Sequence, residues 1–254
     1  MRATPWAGLA LLLAVKAASA MTVAEVQACM EANVPDAVRV QAVEVTSYDR
    51  AGGERVLRGR IFGTREKGLG RFMAQVEAPH DLARTAFLVR EGSGSPETYL
   101  YVPSVNRVKR LAGNAMTGKL WGTDFSYNEF RQVQTAFAAV GARLDAPAQE
   151  EGRAVYVLNL KAAAGEPYDS IRMSVDQQAC VPLKVEFRKA DAVRKTLTVP
   201  VAQLKRDGTH WYPGEMELRD VVAGTHTRLR VLELKAVDKL SAGLFQPQQF
   251  YSSR

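Results

Sequence analysis

Residues 170–187 read Ser-Ile-Arg-Met-Ser-Val-Asp-Gln-Gln-Ala-Cys-Val-Pro-Leu-Lys-Val-Glu-Phe, and the period within them decides the fold. Ile171, Met173 and Val175 alternate with Arg172 and Ser174; Val181, Leu183, Val185 and Phe187 alternate with Pro182, Lys184 and Glu186. A period of two sends every second side chain to one face, so both runs read as strands resting one face on an apolar interior. Outward from this stretch the pattern recurs. Phe72, Ala74, Val76 and Ala78 alternate with Arg71, Met73, Gln75 and Glu77, and further strands are predicted near residues 38–48, 54–64, 85–91, 97–102, 153–161, 195–204, 210–220 and 226–236. Turn-forming Ala51-Gly52-Gly53, Gly92-Ser93-Gly94, Asp207-Gly208 and Ala223-Gly224 separate several of them. Many strands joined by short turns predict a mainly β protein built on one antiparallel sheet that curls, because a wide flat sheet leaves exposed edges.

Two helices are expected. Thr22 and Glu25 have capping-box spacing ahead of Val23, Val26 and Met30 on one face, with Pro35 as the stop. Residues 124–133 read as a short helix with Thr123 or Asp124 as N-cap, and residues 142–151, with Pro147, as a connecting loop. No composition shift, repeat or low-complexity tract marks a second unit, so residues 21–254 are expected to form a single domain. A hydrophobic content of 46% against 24% charged residues is that of a chain with a packed core.

Residues 1–20, MRATPWAGLALLLAVKAASA, carry one early cation (Arg2), an apolar run from Trp6 to Val15, and a closing Ala18-Ser19-Ala20. Small residues three before and directly before a cut suit signal peptidase, so a signal peptide cleaved after Ala20 and export to the periplasm are expected. The apolar run is shorter than the ~20 residues of a membrane span. Residue 21 is Met rather than Cys, which predicts a soluble product without a lipid-modified N-terminus. Cleavage removes Arg2 and Lys16 and no acid, lowering the formal charge from +7 to +5. That small, scattered surplus predicts no nucleic-acid partner and is compatible with weak attraction to anionic membrane surfaces or acidic ligands.

Cys29 and Cys180 are the two cysteines. In an oxidising compartment a disulfide between them is the leading reading, with two buried free thiols as the alternative. Chain entropy gives a bridge over so long a loop an upper bound of about 5 kcal/mol. His80, His210 and His226 stand apart from one another and from metal-ligand spacing; no nucleophile elbow, phosphate loop or dinucleotide fingerprint occurs. Neither a catalytic residue, nor a metal, nor a cofactor is expected; a hydrolytic site assembled only in three dimensions would be sought at Asp124 or His210.

The most informative region runs from Thr98 to Phe130. Tyr99 and Tyr101 share one strand face, Pro103 stops the strand, and Arg107, Lys109 and Arg110 form a basic cluster, which more often marks a solvated face than an anion site. A loop with Met116, Leu120 and Trp121 then leads into Asp124-Phe125-Ser126-Tyr127. Such a loop is a candidate lid over an apolar cavity. The competing reading has Trp121, Phe125 and Phe130 plugging the core beneath a helix, and for each aromatic alone it is the stronger one.

Tyr-Leu-Tyr-Val-Pro-Ser (99–104), Arg-Val-Lys-Arg-Leu (107–111) and Trp-Gly-Thr-Asp-Phe-Ser-Tyr-Asn-Glu-Phe (121–130) together resemble the signature of the bacterial outer-membrane lipoprotein-sorting protein family, related in fold to the periplasmic Lol lipoprotein carriers. Ala78-Pro79, Thr85-Ala86-Phe87-Leu88, Tyr168-Asp169-Ser170-Ile171, Pro182 to Phe187 and a late Phe245 extend the likeness along most of the chain. Two positions depart from the family's pattern: Arg84 stands where a Gly usually precedes the Thr, and Lys119-Leu120-Trp121 replaces a small apolar run. The resemblance implies an incomplete, strongly curved β-barrel with covering helices, lipoprotein-carrier-like, whose concave face suits acyl chains. The function it implies is non-catalytic carriage of lipid or lipoprotein by a monomer that meets an inner-membrane exporter or an outer-membrane receptor; the alternative on the same scaffold is a regulatory sensor that binds lipid or lipoprotein and signals to a membrane partner. Strand alternation would place Phe72, Phe87, Val185, Phe187, Trp211 and Met216 along the cavity, with Leu120, Trp121 and Phe125 at its mouth.

Overall fold

The computed structural model describes residues 21–92, 96–135, 141–162, 167–237, 241 and 243–252; the expected signal peptide and its cleavage site lie outside them. Helix α1 (Val23–Glu31) opens the described chain. Its capping box is formed, with the Glu25 N–H donating to Thr22 Oγ1 at 3.2 Å and the Thr22 N–H donating to Glu25 Oε2 at 2.7 Å. Those backbone and hydroxyl donors hold the Glu25 carboxyl below its usual pKa. Val26 and Met30 are buried.

Six strands follow: β1 (Val38–Tyr48), β2 (Glu54–Glu66), β3 (Leu69–Ala78), β4 (Ala86–Arg90), β5 (Glu97–Val102) and β6 (Arg107–Leu111). Helix α2 (Tyr127–Gln134) precedes β7 (Arg143–Leu144), β8 (Ala148–Glu150), β9 (Arg153–Lys161), β10 (Ser170–Asp176), β11 (Pro182–Lys189) and β12 (Ala192–Thr198). The chain continues through β13 (Leu204–Asp207), β14 (His210–Pro213), β15 (Glu215–Asp220) and β16 (Thr225–Val237). The main sheet runs β6-β5-β4-β3-β2-β1-β16-β15-β12-β11-β10-β9-β7, with β8 also on β9, and every pairing is antiparallel. β13 and β14 form a separate two-stranded hairpin. The sheet is mainly β architecture, strongly curved and not closed.

Register shifts at Ala42/Val43, Arg58/Gly59, Ser174/Val175 and Phe187/Arg188 insert bulges, which bend and coil a sheet. Gly59 is required at one of them, because a Cβ there would lie 2.2 Å from the Gln75 carbonyl oxygen. Curling brings distant strands together. One buried cluster joins Phe72 and Phe87 of β3 and β4 to Ile171, Met173, Val185 and Phe187 of β10 and β11. Strands so far apart in the order share a core only if this face is the inner one.

Three sequence expectations change. The 210–220 strand is two strands, since β14 pairs with β13 whereas β15 pairs with β12 and β16. Trp211 therefore sits on the small hairpin rather than on the sheet. Residues 142–151 are not a plain loop, because β7 and β8 both add to β9. The basic cluster is a solvated face, as expected: Arg107, Lys109 and Arg110 are exposed on the outermost strand β6; cations on an edge strand discourage pairing with another chain. The cap of α2 is Ser126, not Thr123 or Asp124.

Cys29 and Cys180 form a disulfide, with their Cα atoms 5.6 Å apart. It ties α1 to the β10–β11 turn. Asn33 reinforces the same junction, donating from Nδ2 to the Ala179 carbonyl (2.7 Å) and accepting from the Trp211 N–H (2.7 Å).

Candidate functional site

Residues 112–134 leave the edge strand β6 and cross the inner face as a strap ending in α2. The strap begins with a turn of 3-10 helix at Gly113–Thr117, then doubles back tightly. The Leu120 N–H donates to the Phe125 carbonyl (2.7 Å) and the Thr123 N–H to the Leu120 carbonyl (3.0 Å). Trp121 and Gly122 at the apex have φ of 51° and 77°. Leu120, Phe125 and Phe130 are buried in the inner core, with Trp121 and Tyr127 packed against it. Phe130 meets Phe87 edge-on at 5.7 Å between centroids.

One end of the inner face is polar, and there the strap is clamped. Ser126 and Glu129 form a capping box: the Ser126 N–H donates to Glu129 Oε2 (2.7 Å) and the Glu129 N–H to Ser126 Oγ (3.1 Å). Glu129 is 1% exposed, and the Lys195 ammonium lies 3.0 Å from each of its carboxylate oxygens. The same ammonium donates to the Asp124 carbonyl at 2.6 Å. Asp124 accepts from the hydroxyls of Thr225 (2.5 Å) and Thr227 (2.8 Å), and its own N–H donates to Thr227 Oγ1 at 2.9 Å. The Tyr168 hydroxyl donates to Glu129 Oε1. Burial, and then the neighbouring Glu129 charge, push the Tyr168 phenol far above its ordinary pKa, so it stays a donor. Asp124 and Glu129, both within the 121–130 block, are therefore the strap's anchors rather than exposed reactive groups.

Two spaces lie on the inner side of the sheet, the first apolar and the second mixed, with Arg39 and Gln41 in its wall. One, of about 40 Å³, is bounded by Val43, Leu57 and Leu229 on the sheet side and by Leu120, Trp121 and Phe125 on the strap. The other, of about 190 Å³, opens beside α1 and the hairpin and is lined by Met30, Val34, Phe72, Val133, Trp211 and Pro213. Both fall short of the ~300 Å³ at which small-molecule sites begin. A larger groove of about 1020 Å³ lies on the outer face, beside Arg60, Phe62, Tyr101, Lys235 and Tyr251.

The nine residues singled out along the sequence distribute unequally. Phe72, Phe87, Leu120, Phe125, Val185 and Phe187 belong to one inner cluster, and Trp121 and Met216 pack against it. Phe87, Val185 and Phe187 are at most 2% exposed and border neither inner space. Trp211 stands apart at the rim, beneath the Arg206 guanidinium (5.6 Å). The sequence reading missed Lys195, Tyr168, Thr225 and Thr227. The Ser126-x-x-Glu129 spacing was a legible signal for the α2 cap; Tyr168 stood out only as part of the 168–171 segment of the resemblance, and nothing local pointed to Lys195, Thr225 or Thr227. Among the described residues no group of three or more His, Cys, Asp or Glu side chains is placed to hold a metal ion.

An open, curled antiparallel sheet with a helical strap across its inner face is the lipoprotein-sorting, LolA-like fold. A domain provisionally assigned to outer membrane lipoprotein sorting from Vibrio parahaemolyticus is similar at a TM-score of 0.80 and 21% identity, covering 90% of this chain and 97% of that one. A DUF1329 family protein from Desulfovibrio piger is similar at 0.78 and 15% identity (88% and 95% covered). A LolA superfamily protein from Nitrosomonas europaea is similar at 0.69 and 16% identity (89% and 98% covered). At such identities the likeness is one of fold. Residues 68–251 match the model of a protein family described as "Uncharacterized protein", and the chain belongs to that family. No curated protein matches the sequence.

Proposed function

We propose that the protein is a periplasmic, non-catalytic carrier that holds acyl chains of lipid or lipoprotein on the inner face of the sheet, with the strap as its lid. In this reading residues 1–20 are a signal peptide removed after Ala20, and residues 21–254 act as one domain. The observation that carries the reading is the hydrocarbon-lined space between strap and sheet, walled by Val43, Leu57 and Leu229 opposite Leu120 and Phe125. Each methylene moved from water into such surroundings gains ~0.8 kcal/mol, so an acyl chain needs no specific partner to be held. A space of 40 Å³ accommodates no such chain, so loading requires the strap to lift. Phe72, Leu120, Trp121, Phe125, Trp211 and Met216 would then face the chain. Phe87, Val185 and Phe187 would form the floor beneath it. Cargo would pass between an inner-membrane exporter and an outer-membrane receptor through transient contacts.

The test is native mass spectrometry with lipid extraction, on protein purified from the periplasm. An acyl-bearing adduct that the extract identifies is the expected result. Lipid-free protein that also fails to take up a fluorescent fatty acid would overturn the proposal.

A further inference from the structure

Trp121 combines two unfavourable features that core packing does not require. It occupies the first central position of a turn whose two central residues both have positive φ, 51° at Trp121 and 77° at Gly122. Turns of that kind favour Asn, Asp or Gly, because a bulky L side chain is crowded in the left-handed region. In addition, the indole Nε1–H is buried and has no hydrogen-bond partner among the described residues. Nearly every buried donor in a folded protein finds a partner, so each exception calls for a reason. A small polar residue at this position would remove both penalties. Strain concentrated at one residue of a candidate ligand site is a pointer to function.

The surroundings say what the missing partner would be. Trp121 borders the 40 Å³ space, whose walls are otherwise supplied by residues such as Val43, Leu57, Phe125 and Leu229. Solvent lies close at the Trp121 end: Gly122 is exposed, and the Arg55 side chain, 47% exposed, reaches to 3.5 Å from the Trp121 carbonyl oxygen. Phe125 and Phe130, both buried, also line the space. Once the strap lifts to admit a chain, a ligand held between strap and sheet would meet hydrocarbon along its apolar part, with the indole N–H as a free donor beside it.

We propose that the Trp121 indole N–H donates a hydrogen bond to the acyl carbonyl of the bound lipid, with the hydrocarbon chain running inward past Leu120, Phe125 and Phe130. The proposal rests on the carrier reading and adds the ligand atom that is recognised. Hydrocarbon burial is non-directional; a single donor at the mouth sets which end of the chain enters and how far.

The experiment compares two probes of similar length, methyl palmitate, which has the carbonyl, and 1-chlorohexadecane, which lacks it. Binding is read by displacement of a fluorescent fatty acid from the wild-type protein and from Trp121→Phe. Indole-¹⁵N spectra of the wild-type protein, with the Trp121 signal assigned from that variant, report on the N–H itself. The expected result is a roughly five- to tenfold weaker affinity of Trp121→Phe for methyl palmitate and an unchanged affinity for 1-chlorohexadecane. The Trp121 indole proton is expected to move downfield with methyl palmitate alone. An unmoved indole proton, or equal weakening for both probes, overturns the hydrogen bond and leaves the carrier reading standing. A wild-type protein that binds neither probe overturns both.

Discussion

The two faces of the main sheet differ in how they treat charge and space. On the outer face charges are many and matched, both across neighbouring strands and along one strand. Glu44 stands between Arg58 (3.0 Å) and Arg230 (4.0 Å), Arg60 meets Glu77 (2.9 Å), and Lys235 meets Glu233 (2.7 Å). On the inner face charges are fewer and more buried: Lys195, Glu129 and Asp124 complete one another at one end, and Arg39, beside the space next to α1, pairs with Asp207 (3.2 Å). The larger space, about 1020 Å³, lies on the outer side, whereas the inner spaces measure about 190 and 40 Å³. Size alone therefore misleads. The outer groove is lined by ions that pair, Arg60 with Glu77 and Lys235 with Glu233, whereas the inner spaces are small because the strap fills the rest.

The contrast can be broken by experiment, and the largest effect is expected at the clamp. Lys195→Met strands the Glu129 carboxylate, 1% exposed, without its cation. Removing one partner of a buried pair costs about 3–5 kcal/mol. Urea unfolding should show that loss, and hydrogen exchange in α2 should rise with it; a loss below 1 kcal/mol would mean that the strap does not depend on the clamp. Next in size is the disulfide. Cys29→Ser with Cys180→Ser should cost about 2–4 kcal/mol, read by the shift of the chemical unfolding midpoint. If the thermal midpoint of the oxidised protein does not move on adding a reductant that breaks the bond, the bridge carries no stability.

Acid should discriminate between buried and exposed carboxylates. Burial alone would raise the Asp176 pKa, but the Arg153 guanidinium (2.7 and 2.8 Å) and the Ala179 and Gln178 N–H groups outweigh it and hold the carboxyl below its usual value. A depressed folded-state pKa gives stability that is present above the unfolded value, about 3.9, and lost as pH falls through the folded one. Stability measured from pH 5 downward should therefore fall less steeply in Asp176→Asn than in the wild type. Parallel slopes would show that Asp176 contributes nothing to the acid limb. The smallest effect belongs to the outer face. Arg60→Ala, which breaks an ion pair with both partners about half exposed, should cost below about 1 kcal/mol. A loss as large as that at Lys195 would erase the distinction between the faces.

How much was legible depended on the range of the interaction. The 38–48 and 153–161 strands appear with those bounds, because alternation is written into neighbouring residues. The α1 capping box was equally local. Asp207-Gly208 did mark a turn, but reading residues 210–220 as one strand overlooks that Trp211 and Met216, five residues apart, cannot share a face under a period of two; β14 folds back on β13 while β15 joins the sheet. The two departures from the family's pattern, Arg84 and Trp121, both fall on positive φ, 68° and 51°. A sequence can flag such residues as unusual without showing the backbone that makes them so.

By itself, then, the chain specified alternating strands, their turns, both cysteines and an unusual block at residues 121–130. Each of these depends on side-chain periodicity or on contacts a few residues apart. Only the tertiary structure decided what that block does. Lys195 lies 66 residues from Glu129 and Thr227 lies 103 from Asp124. No local rule couples residues at such separations; curling the sheet does, by carrying β12 and β16 under the strap. The same curl left Trp121 with a buried N–H and no partner among the described residues, beside a space bounded by hydrocarbon.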